Sequence, residues 1–254
     1  MKFLLLFMTL VFAAPSFAAD KVLFVLTSHN KMGSLDMKTG FWLGELTHPY
    51  YVLADAGFEV DVASIEGGMA PIDPESLDFS DEDNARFIND KKLMASIINT
   101  IAIEDVNSEN YQAVVYAGGH GTMWDFSNNE LINKLTASIY ERGGVVSAIC
   151  HGPAAFTDVK LSNGQYVVEG KKLAAFTNEE ESNIGLTDVV PFSLQDTLIS
   201  RGAKHIYGAA WVENVVNDKR VITGQNPQSA RKVGEEILSE LKDIKSINSK
   251  SFIN

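Results

Sequence analysis

Val145-Val-Ser-Ala-Ile-Cys150-His151-Gly152-Pro153 decides how this chain is read. Five small or apolar residues without alternation form a strand buried on both faces, the pattern of a parallel sheet with helices on either side. The run ends on Cys150, the chain's single cysteine. A nucleophile elbow needs a sharp turn with small neighbours, so that the backbone can fold back on itself. Ala148 and Gly152, two residues either side of Cys150, supply them. A helix starting at once would turn its positive end toward the sulfur and favour thiolate. His151 offers both its ring and its backbone N–H. A cysteine ending a buried strand also packs as a small hydrophobe; the flanking pattern favours the nucleophile over that reading.

Working outward, Gln112-Ala-Val-Val-Tyr-Ala-Gly118 is a second buried strand, running into Gly119-His120-Gly121. Glycines at the carboxyl end of a strand leave backbone N–H groups free to face the cleft above the sheet. The Gly119 amide, with that of His151, is the expected oxyanion hole, and His120 is expected beside the substrate. Lys21–Ser28 is the first strand and Phe58–Ser64 the second. Lys172–Thr177 and Arg220–Gly224 are two more. Between them lie helices over Thr39–Ala56 (with Pro49 as a bend or break), Asn84–Asn99, Asn128–Glu141, Asp188–Arg201 and Pro227 to about Ile244. The alternation predicts βαβ units around a parallel sheet. Gly67–Asp83 reads as a loop and Ser246–Asn254 as a loose polar tail.

The first residues read as a leader. Lys2 gives a positive start, Phe3–Ala14 an apolar run too short to span a bilayer, and Ser16-Phe17-Ala18 a small-x-small cleavage pattern. The expectation is a signal peptide over 1–18, one domain over 19–245, a polar tail over 246–254, and a periplasmic or secreted product. The 254 residues carry a net charge of −12. Such a chain is not built to bind nucleic acid by general electrostatics and is repelled by anionic membranes. One cysteine excludes an internal disulfide framework, and a free thiol is unusual in an exported protein.

Two stretches offer acids. Glu45 stands among Phe41, Trp42, Leu43 and Leu46; an acid there is either exposed on a narrow polar face or buried for a purpose. Glu179-Glu180-Glu181 follows Phe176-Thr177-Asn178 at a strand end. As a charge run it reads as a solvated loop, with one of the three at most in need of a role. His48, His205 and Trp124 show no pattern that singles them out.

Ala-Ile-Cys-His-Gly-Pro over 148–153, Ala-Gly-Gly-His-Gly-Thr over 117–122 and Lys-Thr-Gly-Phe-Trp-Leu-Gly-Glu over 38–45 together resemble the ThiJ/PfpI superfamily, related to class I glutamine amidotransferases. The chain is most similar to the branch of heat-shock chaperones and glutathione-independent glyoxalases, from about Lys21 to Ile244. The resemblance implies a flavodoxin-like three-layer sandwich with a mostly parallel sheet and its site at the carboxyl edge. It implies that Cys150 is the nucleophile, His151 its histidine, Glu45 the helix glutamate that touches the sulfur, and Glu181 the acid that orients the histidine. Asn178 stands where some relatives carry an aspartate, and Ala148 where the elbow often has glycine.

The activity implied is a lyase that converts a small 2-oxoaldehyde, such as methylglyoxal, to a 2-hydroxy acid through a cysteine hemithioacetal. No stretch resembles a metal-binding or dinucleotide motif, so neither metal nor cofactor is expected. The expected partner is a small carbonyl substrate, and a homodimer is usual for the family. An exported cysteine amidase or peptidase, and a holdase chaperone with a redox-sensitive cysteine, are the competing expectations.

Overall fold

The computed structural model describes residues 20–251. The expected leader over 1–18 lies outside them. Six strands run parallel: β1 (Lys21–Leu26), β2 (Glu59–Ser64), β3 (Ile101–Ala102), β4 (Ala113–Tyr116), β5 (Val145–Ile149) and β9 (Val221–Gly224). β8 (Val215–Asp218) joins β9 antiparallel at the edge, giving the order β3-β2-β1-β4-β5-β9-β8. β6 (Lys172–Leu173) and β7 (Lys204–His205) form a separate parallel pair. β1, β4 and β5 are almost wholly buried. That is what their unbroken apolar runs require of strands covered on both faces.

The helices are α1 (Leu43–Asp55), α2 (Glu82–Asn89), α3 (Lys91–Ile98), α4 (Thr122–Asp125), α5 (Glu130–Glu141), α6 (Asn178–Asn183), α7 (Leu194–Ser200) and α8 (Ala230–Ser251). α5 and α8 both pack on β5, and α8 packs along α1. This is the flavodoxin-like α/β sandwich. α1 continues through Pro49, whose ring side faces Gly234 of α8. A Cβ at Gly234 would lie 2.7 Å from the Pro49 Cα, so glycine is what lets these two helices approach. Among the described residues no helix is long and apolar enough to cross a membrane.

Several expected boundaries move. The helix read over Asn84–Asn99 is two helices, because Asp90 accepts the Lys92 and Leu93 N–H groups and caps a new start. Asp188–Arg201 is helical only from Leu194, behind the Ser193 cap and Pro191. Lys172–Thr177 is a strand only over its first two residues and lies outside the main sheet. The expected polar tail is helical as far as Ser251, as the last turns of α8.

The order of the strands places the site. From β1 the chain moves outward to β2 and β3, then returns to the other side of β1 as β4. At such a reversal the loops leaving the carboxyl ends of neighbouring strands diverge and open a crevice. The segments after β1, β4 and β5 all reach it.

Candidate active site

Cys150 directly follows β5 and takes φ +58°, a left-handed conformation that a side chain with a Cβ adopts at a cost of about 1–2 kcal/mol. Bonds on either side hold it there. Its N–H donates to the Gly224 carbonyl at 2.9 Å, and its carbonyl accepts from the Phe176 N–H at 2.9 Å. A Cβ at Gly152 would run into the Tyr116 carbonyl and approach the Ala148 Cβ to 3.5 Å. The small residues flanking the cysteine are therefore a steric requirement, and alanine at 148 meets it. The segment after the cysteine differs from expectation. Gly152–Phe156 is a short 3₁₀ turn, too brief to supply a helix dipole.

His151 is buried and sets its Nδ1 3.3 Å from the Cys150 sulfur. Its Nε2 donates to Glu181 Oε2 at 2.8 Å. This bond fixes the tautomer, leaving Nδ1 as an acceptor for the thiol proton. The other Glu181 oxygen accepts from His120 Nε2 at 2.9 Å. Burial pushes the Glu181 carboxyl up, but the two imidazoles outweigh it and hold the group well below the usual carboxylate range. Burial, with His120 beside it, lowers His151, keeping the ring neutral at rest and its Nδ1 lone pair free to accept a proton. The two histidine rings lie 4.1 Å apart, and Phe176 packs on His151 at 4.2 Å. Among the described residues, His120, His151 and Glu181 could also hold a metal ion, their ligand atoms lying within 4.8 Å of one another. An ion there would compete with the bonds that orient His151.

Glu45, in the first turn of α1, is fully buried. One oxygen accepts the Gly118 N–H at 2.8 Å, and the Trp42 N–H returns a bond to the Gly118 carbonyl at 3.0 Å. The tip of β4 and the start of α1 are thereby tied together. The carboxyl also meets the Cys150 thiol in a side-chain hydrogen bond, and among the described residues Oε1 has no further partner. Burial pushes the Glu45 carboxyl up to about 8, so it is a neutral acid near pH 7. Burial also pushes the Cys150 thiol up, with Glu45 and Glu180 adding to it and the His151 backbone N–H opposing. The expected low-pKa thiolate is thus reversed: the resting sulfur is a thiol, and His151 must take its proton.

Gly119 turns the chain at φ +97°, where a Cβ would strike the Gly40 carbonyl and lie 2.6 Å from the Trp42 nitrogen. Gly119, His120, Cys150 and His151 line one cavity of about 830 Å³. Its walls include Trp42, Phe176, Trp211, Ile184 and Leu186, with a more polar end around His48, Asp73 and Asp81. All six expected site residues thus meet at one place, the buried carboxyl of Glu45 included.

Two features were not foreseen. Glu180 is more deeply buried than its neighbour Glu181, so two of the three consecutive acids have defined places, not one. Glu180 closes a capping box with Thr177, a signal present in the sequence as Thr-x-x-Glu. His48, paired to Asp81 at 2.9 Å, lines the polar end of the cavity, although nothing in its local sequence marks it. Asn178 bonds Ser193 and Asp196 on the surface and takes no part in the site.

Known proteins resemble this chain over nearly its whole length. Glyoxalase 3 of Candida albicans is 34% identical over 230 residues, covering 86% of this chain and 97% of that one. The glutathione-independent glyoxalase HSP31 of Saccharomyces cerevisiae is 34% identical over 239 residues, covering 89% and 100%. Among solved structures, the 24 kDa rapid encystment protein of Francisella tularensis superposes with a TM-score of 0.84 at 47% identity, covering 87% of this chain and 98% of its own. Glyoxalase III of C. albicans superposes with a TM-score of 0.81 at 32% identity, covering 87% and 96%. The DJ-1/PfpI family model matches residues 37–240, from the loop before Glu45 into the last helix, and the chain belongs to that family.

Proposed function

We propose that the protein is a glutathione-independent glyoxalase, a lyase that converts a 2-oxoaldehyde such as methylglyoxal to the corresponding 2-hydroxy acid. The observation that carries this reading is the neutral, buried Glu45 beside a thiol that already has its own base in His151. A hydrolase needs the Cys-His-acid group alone. An intramolecular oxidation and reduction of adjacent carbons needs a second proton carrier, and Glu45 is one. The names of the relatives at 34% identity point the same way.

His151 takes the thiol proton as the Cys150 sulfur adds to the aldehyde carbon, C1, and Glu45 protonates the resulting alkoxide to give the hemithioacetal. Glu45, now a carboxylate, removes the hydrogen on C1. The electron pair moves into the C1–C2 bond, and His151 returns its proton to the C2 oxygen, giving an enediol. Glu45 then delivers its proton to C2 while His151 takes the C1 hydroxyl proton, leaving C2 reduced and C1 as a thioester. Water adds to the thioester and gives a proton to Glu45. The C1–S bond breaks, His151 reprotonates the sulfur, and the 2-hydroxy acid leaves. In this reading the Gly119 and His151 amides receive the oxyanions on C1.

Purified protein given methylglyoxal in glutathione-free buffer tests this, with lactate as the readout. Cys150→Ala should abolish lactate formation and leave any holdase action untouched; lactate formation surviving in Cys150→Ala would sink the reading. Export with loss of residues 1–18 is part of the proposal, supported by the apolar run and cleavage pattern, and intact mass of the product from a secretion-competent host checks it. A homodimer is proposed from the family and is checked by light scattering.

A further inference from the structure

The cavity, about 830 Å³, is far larger than a three-carbon substrate needs, and the aromatic rings of Phe176 and Trp211 line it together with Cys150. Trp211 is the unusual part of that wall. It takes φ +62°, a conformation rare for any residue with a Cβ and an outlier for a bulky one. Its ring meets Phe176 edge-on at 5.6 Å, and Phe176 in turn covers His151 at 4.2 Å. Yet Trp211 remains 39% exposed, on a segment with few buried apolar residues of its own. Apolar packing alone does not account for its position.

Buried Glu180 does. Its Oε1 accepts the Trp211 backbone N–H at 3.0 Å, together with Gln225 Nε2 at 3.1 Å and Asn226 Nδ2 at 2.9 Å. The same two amides reach the rest of the segment. Gln225 accepts the Gly208 N–H, and Asn226 donates to the Val212 carbonyl. Oε2 is engaged by the Thr177 N–H and hydroxyl. A fully buried carboxylate with five donors lies one residue before Glu181, so a single turn of α6 fixes the catalytic histidine and the tryptophan wall together. Strained backbone persists where the surroundings over-determine it, and it concentrates at ligand clamps.

We infer that Trp211 selects the substituent on the substrate's second carbon, favouring an aromatic or bulky apolar group, and that Glu180 is the positioning residue that holds it there. The inference rests on the glyoxalase reading for its reaction but not for its binding surface. The test compares kcat/KM for phenylglyoxal and methylglyoxal, and the affinities of the product pair mandelate and lactate, in wild type, Trp211→Ala, Trp211→Phe, Glu180→Gln and Glu180→Asp. Trp211→Ala should lower the phenyl-to-methyl ratio about tenfold or more in both measurements, with Trp211→Phe recovering most of it. The Glu180 variants should shift the ratio the same way, chiefly through KM; Glu180→Asp keeps the charge but withdraws it from the Trp211 N–H. Ratios unchanged in Trp211→Ala would overturn the inference. Ratios changed in Trp211→Ala but not in a folded Glu180 variant would overturn the part assigned to Glu180. Wild type turning over neither aldehyde defeats the glyoxalase reading, while the mandelate-to-lactate affinity ratio still decides Trp211.

Discussion

His151 presents its unprotonated Nδ1 to the Cys150 sulfur at 3.3 Å because its other nitrogen is committed to Glu181. The two residues are neighbours in sequence, and the left-handed turn at Cys150 is what lets adjacent side chains face each other across the elbow. Because the thiol is buried next to acids, this contact works by proton transfer at the moment of attack and not through a standing thiolate. Alkylation of Cys150 followed across pH should therefore have a midpoint above the ordinary thiol value of about 8.5. Glu45→Gln, by removing a potential negative charge, should bring that midpoint down. A wild-type midpoint below 8.5 would contradict the resting thiol.

Glu181 serves two histidines at once, so its removal should do more than lose one hydrogen bond. Glu181→Gln keeps the shape, but its amide nitrogen faces an imidazole N–H and forces one ring to turn or change tautomer. Turnover should fall by roughly two to four orders of magnitude with little change in KM. Steady-state kinetics on a variant shown to be folded by circular dichroism checks this; a loss confined to KM would mean that Glu181 only shapes the cavity.

Stability should have two pH limbs of opposite origin. Glu45 is raised on folding, so its contribution is complete below the ordinary carboxylate range and is lost as pH rises toward about 8. Glu181 is lowered on folding, so its contribution is present above that range and is lost as pH falls through and below it. Thermal melts across pH should show the alkaline limb flattened in Glu45→Gln and the acid limb flattened in Glu181→Gln. An alkaline limb identical in wild type and Glu45→Gln would show that Glu45 is not held protonated by the fold.

Gly118 offers a steric test. A Cβ there would strike the Ile149 carbonyl and lie 2.6 Å from Glu45 Oε2 and 2.8 Å from the His151 nitrogen. Two of these three neighbours are backbone of the β5 tip and the elbow, which cannot step aside. Gly118→Ala should cost about 1–3 kcal/mol of stability and reduce turnover sharply. Chemical denaturation and lactate formation read the two effects separately, and a fully active, fully stable variant would refute the crowding.

Much of this was legible in the sequence where local rules and the fold agree. Strands buried on both faces leave unbroken apolar runs, so β1, β4 and β5 could be read directly, and the small residues around Cys150 are demanded by the turn itself. The burial of Glu45 was legible only through the family resemblance and not from its local pattern. Its neighbours are apolar, but only the Gly118 N–H, 73 residues away, shows why an acid belongs there. β8 escaped because the Lys219-Arg220 turn reaches φ +54° and +72° without the glycine or asparagine that signals such a hairpin. The break at Asp90 was hidden because a capping residue within an amphipathic run does not disturb its period. Glu180 stands in a run of three like charges, and only the Thr177 capping signal marks it as different.

Glu45 carries the central claim, that a buried acid neutral near pH 7 passes protons beside the Cys150 thiol. Glutamine at this position keeps the shape and can still donate a hydrogen bond, but it cannot exchange a proton. The decisive measurement is kcat for methylglyoxal, without glutathione, in wild type and in Glu45→Gln with Cys150 alkylation followed in parallel. The expected result is a fall of roughly two to four orders of magnitude in kcat, while Cys150 remains reactive and the fold intact. Turnover unchanged in Glu45→Gln would contradict the account and leave Cys150, His151 and Glu181 as a hydrolase triad.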